Sequence, residues 1–352
     1  MPKKKILLII YGGTISMVVR DNKVVAAENL NEIISLLPRI SEVADLEMHI
    51  LSNKDSTNVN HEDWTKIAYH ISNHYQEYDG FIITHGTNTM AYTASALSLA
   101  FGPDLTKPII LTGSQLPLTV YGNDARFNFE NAVKTAAVAC EKQIGEVMIV
   151  FSDVVLRGGR SIKVSESAFR AFASPAFPPV ADISSTGIHF NYHANIANHD
   201  RRPDLKPHFT PGVLSIDLTP GQLPTLFEDI VAAGKCKGII LKSHGAGSVP
   251  TEGPYNFLPF IKKTVDHYKI PVVISTKFIG GNSFKEVNDE CAVVAIEAGA
   301  IPSGDLTDVM TEVKLMWLLA QGANSISSVR NGILREYSGE ITGEKFRSLV
   351  SL

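Results

Sequence analysis

Between residues 5 and 151, short β-branched and aliphatic runs alternate with longer stretches in which apolar residues recur at three- and four-residue spacing. That alternation predicts a parallel sheet covered by helices on both faces. The expected strands are Ile6–Ile10, Leu46–Leu51, Phe81–Thr84, Ile109–Thr112 and Glu146–Phe151. Asn60 followed by Asp63 reads as a helix start, and Trp64, Ile67, Ala68, Ile71 and Tyr78 then give one core-facing stripe, completing a βαβ unit. From Gly187 to Gly212 the period fails in a stretch crowded with His189, His193, His199, Pro203, Pro207 and Pro211, which reads as an inter-domain linker. Alternation resumes with strands over Val213–Asp217, Gly238–Lys242 and Pro271–Thr276 and helices near Leu223–Ala233 and Asn256–His267. The expected architecture is α/β: a larger N-terminal parallel-sheet domain with flanking helices over 1–188, a linker over 189–212, and a smaller C-terminal α/β domain over 213–352.

The length of 352 residues suits two domains, because one hydrophobic core rarely grows that large. With 44% hydrophobic and 19% charged residues the chain has material for real cores and no bias toward disorder. A net charge of −4 gives no electrostatic case for nucleic acid or an anionic membrane surface. Cys140, Cys236 and Cys291 are few, odd in number and far apart, which fits a reducing compartment and buried small side chains better than disulfides or zinc. The apolar run Ile6–Ile10 is too short for a signal sequence and meets Tyr11-Gly12-Gly13 with no cleavage site, so it reads as a buried strand. No run approaches the roughly 18 apolar residues of a membrane helix. A cytoplasmic protein is expected.

Ligands of open parallel sheets bind beyond the carboxyl ends of the strands, so the segments that follow each strand carry the chemistry. In order they hold Tyr11-Gly12-Gly13-Thr14, Asp55-Ser56-Thr57-Asn58, His85-Gly86-Thr87-Asn88-Thr89, Gly113-Ser114-Gln115 and Arg157-Gly158-Gly159-Arg160-Ser161-Ile162-Lys163. All five are expected to empty onto one rim, gathering hydroxyls and one or more cations. A single loop hydroxyl usually caps a helix; convergence of several favours a site. Gly12-Gly13 lacks both the G-x-G-x-x-G pattern and the Walker ending, so no nucleotide cofactor is expected. No G-x-S-x-G elbow occurs. His85 reads as a loop-orienting residue rather than a base. His70 and His74, four apart on a helix, have metal-compatible spacing, but no third ligand is evident and no metal is expected.

Gly12-Gly13-Thr14-Ile15, His85-Gly86-Thr87-x-Thr89-Met90-Ala91, Thr112-Gly113-Ser114-Gln115-x-Pro117 and Arg157-Gly158-x-Arg160-x-x-Lys163, with Phe172-Ala173-Ser174-Pro175 and Lys314-Leu315, together resemble the bacterial type I, cytoplasmic L-asparaginases over nearly the whole chain. The resemblance implies an amidohydrolase without cofactor or metal, acting on a small amino-acid amide as a homodimer or homotetramer. It implies Thr14 as nucleophile on a mobile loop, and Thr87 with Lys163 as a second hydroxyl and its base. Ser56 and Thr57 match positions that hold the substrate α-carboxylate, and Asn88 and Ser114 join them as substrate-binding positions. A threonine hydroxyl attacks only when a neighbour takes its proton. Lys163 accepts that proton only when neutral, which near neutral pH requires surroundings that disfavour its charged form by about 4 kcal/mol. Backbone N–H groups of the glycine-rich loops are natural oxyanion donors.

Departures from the family pattern cluster on the amine side. Asn88 stands where an aspartate meets both the lysine and the substrate ammonium, and no tyrosine occurs near Val24 on the mobile loop. Tyr11 replaces a threonine, Ser248 and Val309 stand where an asparagine and a glutamate reach across a subunit interface, and Asp289 and Ala292 replace a tyrosine and a glycine. An ammonium buried without its partner costs about 2–5 kcal/mol, so free asparagine is expected to fit badly unless Asp55 or Asp289 compensates. Three functions stay open: an asparaginase with an altered amine site, a threonine amidohydrolase for an amine-blocked amide, and a silent asparaginase-like binding protein. The start at the first strand argues against the subunit of a tRNA-dependent amidotransferase.

Overall fold

The computed structural model describes residues 2–20, 23–37, 39–281, 283 and 290–342; Asp289 lies outside them. The chain divides into two units, Met1–Pro207 and His208–Leu352. In the first, the strands are β1 (Lys4–Ile10), β2 (Met17–Arg20), β3 (Lys23–Ala26), β4 (Ala44–Ile50), β5 (Gly80–Thr84), β6 (Ile109–Thr112), β7 (Val147–Phe151), β8 (Val154–Arg157), β9 (Ile162–Lys163), β10 (Phe172–Ala173), β11 (Ala181–Ser184) and β12 (Gly187–Phe190). The helices are α1 (Leu30–Leu36), α2 (His61–Asn73), α3 (Met90–Phe101) and α4 (Ala125–Glu141).

Among the described residues one sheet runs β12-β11-β8-β7-β6-β5-β1-β4. The five strands expected from the apolar runs are its parallel half, with β1 between β4 and β5. Residues 6–10 of β1 and all of β5, β6 and β7 are buried, as strands covered on both faces require. A core of Ile6, Leu8, Ile10, Ile82, Ile110, Phe129 and Val133 packs α4 against one face. Asn60 and Asp63 form a capping box at the start of α2, which buries Trp64, Ile67, Ala68 and Ile71. The helix ends at Asn73, so buried Tyr78 belongs to the turn before β5 and not to the helical stripe.

Two expectations change. Gly187–Phe190, where the expected linker stretch begins, is the edge strand β12, paired antiparallel with β11 and burying Ile188 in the core. Its histidine and proline neighbours hid a period only four residues long. The loop after β7 does not open onto the rim either: the chain reverses at once into antiparallel β8, setting Arg157 opposite Met148. Arg157 therefore lies toward the amino ends of the parallel strands, paired with Glu146 and donating to the His193 carbonyl at 2.6 Å. Arg160, almost fully buried, packs over Phe177. Of the cations expected on the rim, these two arginines are elsewhere.

The second unit contains β13 (Val213–Asp217), β14 (Gly238–Ser243), β15 (Val272–Thr276) and β16 (Ile301–Pro302), with α5 (Thr225–Ala232), α6 (Leu258–Asp266), α7 (Glu290–Glu297), α8 (Asp308–Ala320) and α9 (Ile326–Leu334). The strands form a parallel sheet in sequence order over a core of Ile239, Leu241, Phe257, Phe260, Ile261, Val272 and Ile274. Val309 is buried in the first turn of α8. No helix among the described residues is long and apolar enough to cross a membrane. Cys236 is buried, while Cys140 and Cys291 are half-buried.

Lys314 of α8 is fully buried, with its ammonium donating to the carbonyls of Ile333 at 2.9 Å and Arg335 at 2.6 Å and to Glu340 Oε1 at 2.6 Å. Glu340, also fully buried, accepts further bonds from the Tyr337 and Ser338 N–H groups. Burial alone would raise the Glu340 carboxyl, but Lys314 and the backbone donors outweigh it and hold it below its ordinary value. Glu340→Gln leaves a buried ammonium without its counter-charge, so urea denaturation is expected to show a loss of about 3–5 kcal/mol. Because the folded-state value is depressed, this stabilisation is present above the unfolded value of 4.5 and is lost as pH falls below it. An acid titration of wild type and variant checks the sign: the stability gap closes on acidification.

Candidate active site

The loops that leave β1, β5 and β6 meet backbone to backbone. Gly13 has a φ of 86°, and a Cβ there would lie 2.6 Å from the His85 carbonyl carbon and 2.7 Å from the Gly86 nitrogen. A Cβ on Gly86 would lie 2.6 Å from Ser56 Oγ, and one on Gly113 would lie 2.5 Å from the His85 oxygen. Glycine is needed because four chain segments converge where no side chain fits. Thr14 follows Gly13 and Thr87 follows Gly86, so this contact brings the two threonines to the same place on the rim. Thr89 locks it by donating to the Ser56 carbonyl at 2.6 Å.

Lys163 joins them from the far side of the sheet. After β8 and a turn over Gly158–Arg160, the chain returns as β9, where Lys163 pairs with Phe172 of β10. Its Nζ donates to Thr87 Oγ1 at 2.8 Å and to Asn88 Oδ1 at 2.9 Å. Burial holds the Lys163 ammonium below its ordinary value, against the pull of the Glu166 carboxylate. Asn88 is exposed, and its amide also donates to Thr57 Oγ1 at 3.2 Å, linking lysine to the Ser56–Asn58 turn. No hydrogen bond joins Thr14 to Thr87 or Lys163 among the described residues. Ser114 Oγ is buried with no partner among them, a free donor and acceptor at the end of β6. Asp55 accepts from the Thr57 N–H at 2.8 Å, which keeps its exposed carboxyl ionised by holding it below the ordinary value.

Two supports went unnoticed in the sequence. Tyr11 is buried, and its hydroxyl donates to Asp63 Oδ1 at 2.6 Å; Lys54 Nζ binds the same carboxylate at 2.7 Å. Burial would raise the Asp63 carboxyl, but Lys54, Tyr11 and the Asn60 N–H outweigh it and hold it below its ordinary value. One carboxylate therefore caps α2 and braces the segment leading to Ser56. The signal was the capping box itself, whose Asp63 has an oxygen to spare. The second support is Phe172-Ala173, whose ladder with β9 positions Lys163 and whose Phe172 ring packs 5.0 Å from that of Phe151.

His85 is buried and orients its loop. Its Nδ1 donates to the Gly86 carbonyl at 2.7 Å, which leaves Nε2 to accept the Thr93 hydroxyl at 2.9 Å. Burial lowers its value to about 4, so it stays neutral and has no free nitrogen for substrate.

The family model described as "Asparaginase, N-terminal" matches residues 5–196, and "Glutaminase/Asparaginase C-terminal domain" matches residues 212–331. The chain belongs to the asparaginase family. It is similar to the L-asparaginase of Thermococcus kodakarensis, with 34% identity over 96% of this chain and 99% of that one. L-asparaginase 1 of Escherichia coli is 34% identical over 97% of this chain and 99% of its own. The structure of the thermostable L-asparaginase from Thermococcus kodakarensis superposes with a TM-score of 0.87 at 33% identity, covering 97% of this chain and all of that one. Mixed α/β architecture with a large, mainly parallel sheet and a small second sheet domain is thus common to this asparaginase and its relatives.

The glycine junction has a sharp test. Gly13→Ala places a Cβ against the His85 backbone at a φ that L side chains rarely adopt, so a stability loss of about 1–3 kcal/mol is expected together with loss of activity. Urea denaturation and ammonia release measure the two effects. Unchanged values in both would mean that the loops do not meet as described.

Proposed function

We propose that this chain is an asparaginase-type amidohydrolase that cleaves the side-chain amide of asparagine, or of a close relative with a modified amine, through a threonine acyl-enzyme. What carries the reading is the 2.8 Å bond from Lys163 Nζ to Thr87 Oγ1, a lysine lowered by burial set against a hydroxyl on the loop beside Thr14. Thr14 Oγ1 attacks the amide carbon as its proton passes to the amide nitrogen, the carbon–nitrogen bond breaks, and ammonia leaves. A water molecule then attacks the ester carbon and gives a proton to Thr87, which passes its own to neutral Lys163; as the ester bond breaks, that proton is delivered to the departing Thr14 oxygen, restoring the hydroxyl and freeing the acid. Ser56 and Thr57 would hold the substrate carboxylate and the buried Ser114 hydroxyl its polar end. The working protein is proposed to be cytoplasmic and homo-oligomeric, a dimer or tetramer, which light scattering would read directly.

Asn88 favours the modified-amine reading. It keeps the contact with lysine but offers a neutral amide where an ammonium wants a carboxylate, and exposed Asp55 is already committed to the Thr57 N–H. Ammonia release from asparagine, glutamine and N-acetylated asparagine, each compared with Thr14→Ala, tests the proposal. Turnover that disappears in the variant supports the reaction, and the preferred substrate identifies the amine. A signal no greater than that of Thr14→Ala on every amide would leave a silent binding protein. Asn88→Asp is expected to raise kcat/KM for free asparagine by about tenfold or more; a flat or lower value in a folded variant removes the amine-site argument.

Proton transfer makes a separate prediction. Lys163 works as a base only when neutral, so kcat should rise with pH through a limb lying below the ordinary lysine value of 10.5. Glu166 is the carboxylate that raises Lys163, so Glu166→Gln should move this limb to lower pH, while Asn88→Asp should move it higher. A pH–rate profile that ignores both changes would show that Lys163 does not set the limb.

A further inference from the structure

β4 is an edge strand of the large sheet, and α2 lies beside it. Three histidines meet there: His49 on β4, His70 in the last turn of α2, and His74 at its C-cap. One ring nitrogen of each lies within 4.8 Å of one from each of the others. His49 Nδ1 and His70 Nε2 are 3.1 Å apart, and the ring centroids are separated by 4.6 to 5.3 Å. The sequence showed only the helical pair; the third member is distant in the chain and is delivered by the strand.

Three imidazoles can gather merely by stacking and sharing a proton. What distinguishes this cluster is where the outward nitrogens go. His74 Nδ1 donates to the His70 carbonyl at 2.9 Å, which leaves Nε2 with its lone pair. His49 Nε2 lies 3.6 Å from Glu47 Oε1, two residues back on the same face of β4, which favours a proton on Nε2 and a bare Nδ1 facing His70. The other oxygen of the same carboxylate, Glu47 Oε2, pairs with Lys5 Nζ at 3.4 Å. Metal-bound histidines are oriented in this way, with the second nitrogen donating to a carboxylate or backbone carbonyl.

We propose that His49, His70 and His74 form a binding site for a divalent transition-metal cation of the zinc class, with its remaining position open to water. Zinc–nitrogen bonds of roughly 2.0–2.1 Å place tetrahedral ligands about 3.4 Å apart, so the His49–His70 pair is already at ligand spacing and His74 closes by a small ring movement. On binding, the proton that His70 shares with His49 shifts to His70 Nδ1, and both inward nitrogens become donors to the metal. The three side chains are half-buried, which leaves solvent access for the ion. The metal would bridge the strand that enters and the helix that leaves residues 51–60, the segment carrying Ser56 and Thr57. It would fasten an edge strand to its helix and shorten the free length of the substrate-side loop.

The test uses the full-length, tag-free protein stripped of metal with a chelator. Isothermal titration with zinc at neutral pH is expected to show one ion per chain, and cobalt(II) to develop the visible absorption of a low-coordinate site. The melting temperature should rise with zinc, since the ion binds only the folded arrangement. His49→Gln and His70→Gln should each abolish the stoichiometric binding, and Glu47→Gln should weaken it by about tenfold or more. His189→Gln, a histidine of β12, should change nothing. Circular dichroism confirms that each variant is folded; should one be unfolded, Glu47→Gln and the wild-type cobalt spectrum still decide. Absence of stoichiometric binding, or binding that survives both His49→Gln and His70→Gln, would overturn the site. Every readout here is independent of amide hydrolysis.

Discussion

The close approach of glycine-rich backbones at the carboxyl ends of β1, β5 and β6 is the constraint on which the site rests. Gly13 lies against the His85–Gly86 peptide, Gly86 against Ser56, and Gly113 against the His85 carbonyl, each closer than a methyl group permits. Hydroxyls from three strands reach one place because nothing separates the chains that carry them. The surrounding polar contacts hold this junction in register. Neutral His85 ties the loop to α3 through Thr93, and Asp63 ties Tyr11 and Lys54 to the cap of α2. The energy that positions the candidate nucleophile and base therefore comes from the sheet core and the helix cap, which is the usual way a rigid scaffold preorganises reactive side chains.

The electrostatics of the rim follow from one neutral substitution. Asn88 keeps the bond to Lys163 but brings no charge, so desolvation is opposed by the Glu166 carboxylate and outweighs it, and the lysine lies below its ordinary value. Under the proposed function, the residue that weakens recognition of an ammonium group also leaves the proposed proton acceptor easier to empty.

Apolar runs exposed the parallel half of the sheet and β13, β14 and β15 of the second sheet, most plainly where fully buried strands leave continuous β-branched runs, while the two-residue β16 gave no such signal. Glycine-hydroxyl motifs after those strands singled out Thr14, Ser56, Thr57, Thr87, Asn88 and Ser114 as candidates, because chain order alone sets the segments that follow parallel strands at one rim. What stayed hidden depended on antiparallel pairing. β8 is short and follows β7 after only two residues, so Arg157 and Arg160 read as rim residues although the reversal carries them away. β12 is short and set among prolines and histidines, and its partner supplies the period it lacks. The roles of Phe172 and His49 were illegible for a related reason: each acts through a neighbour remote in sequence.

The route by which Lys163 arrives has a consequence for divergence within the family. The span from Arg157 to Lys163 is pinned at both ends, by the Glu146 pair at one and by the ladder to Phe172 at the other. Side chains alternate along a strand, so a single-residue insertion or deletion between these anchors would turn the lysine to the opposite face without altering any chemistry. Five intervening residues thus act as a ruler. This span is expected to tolerate exchange of residues but no change in their number.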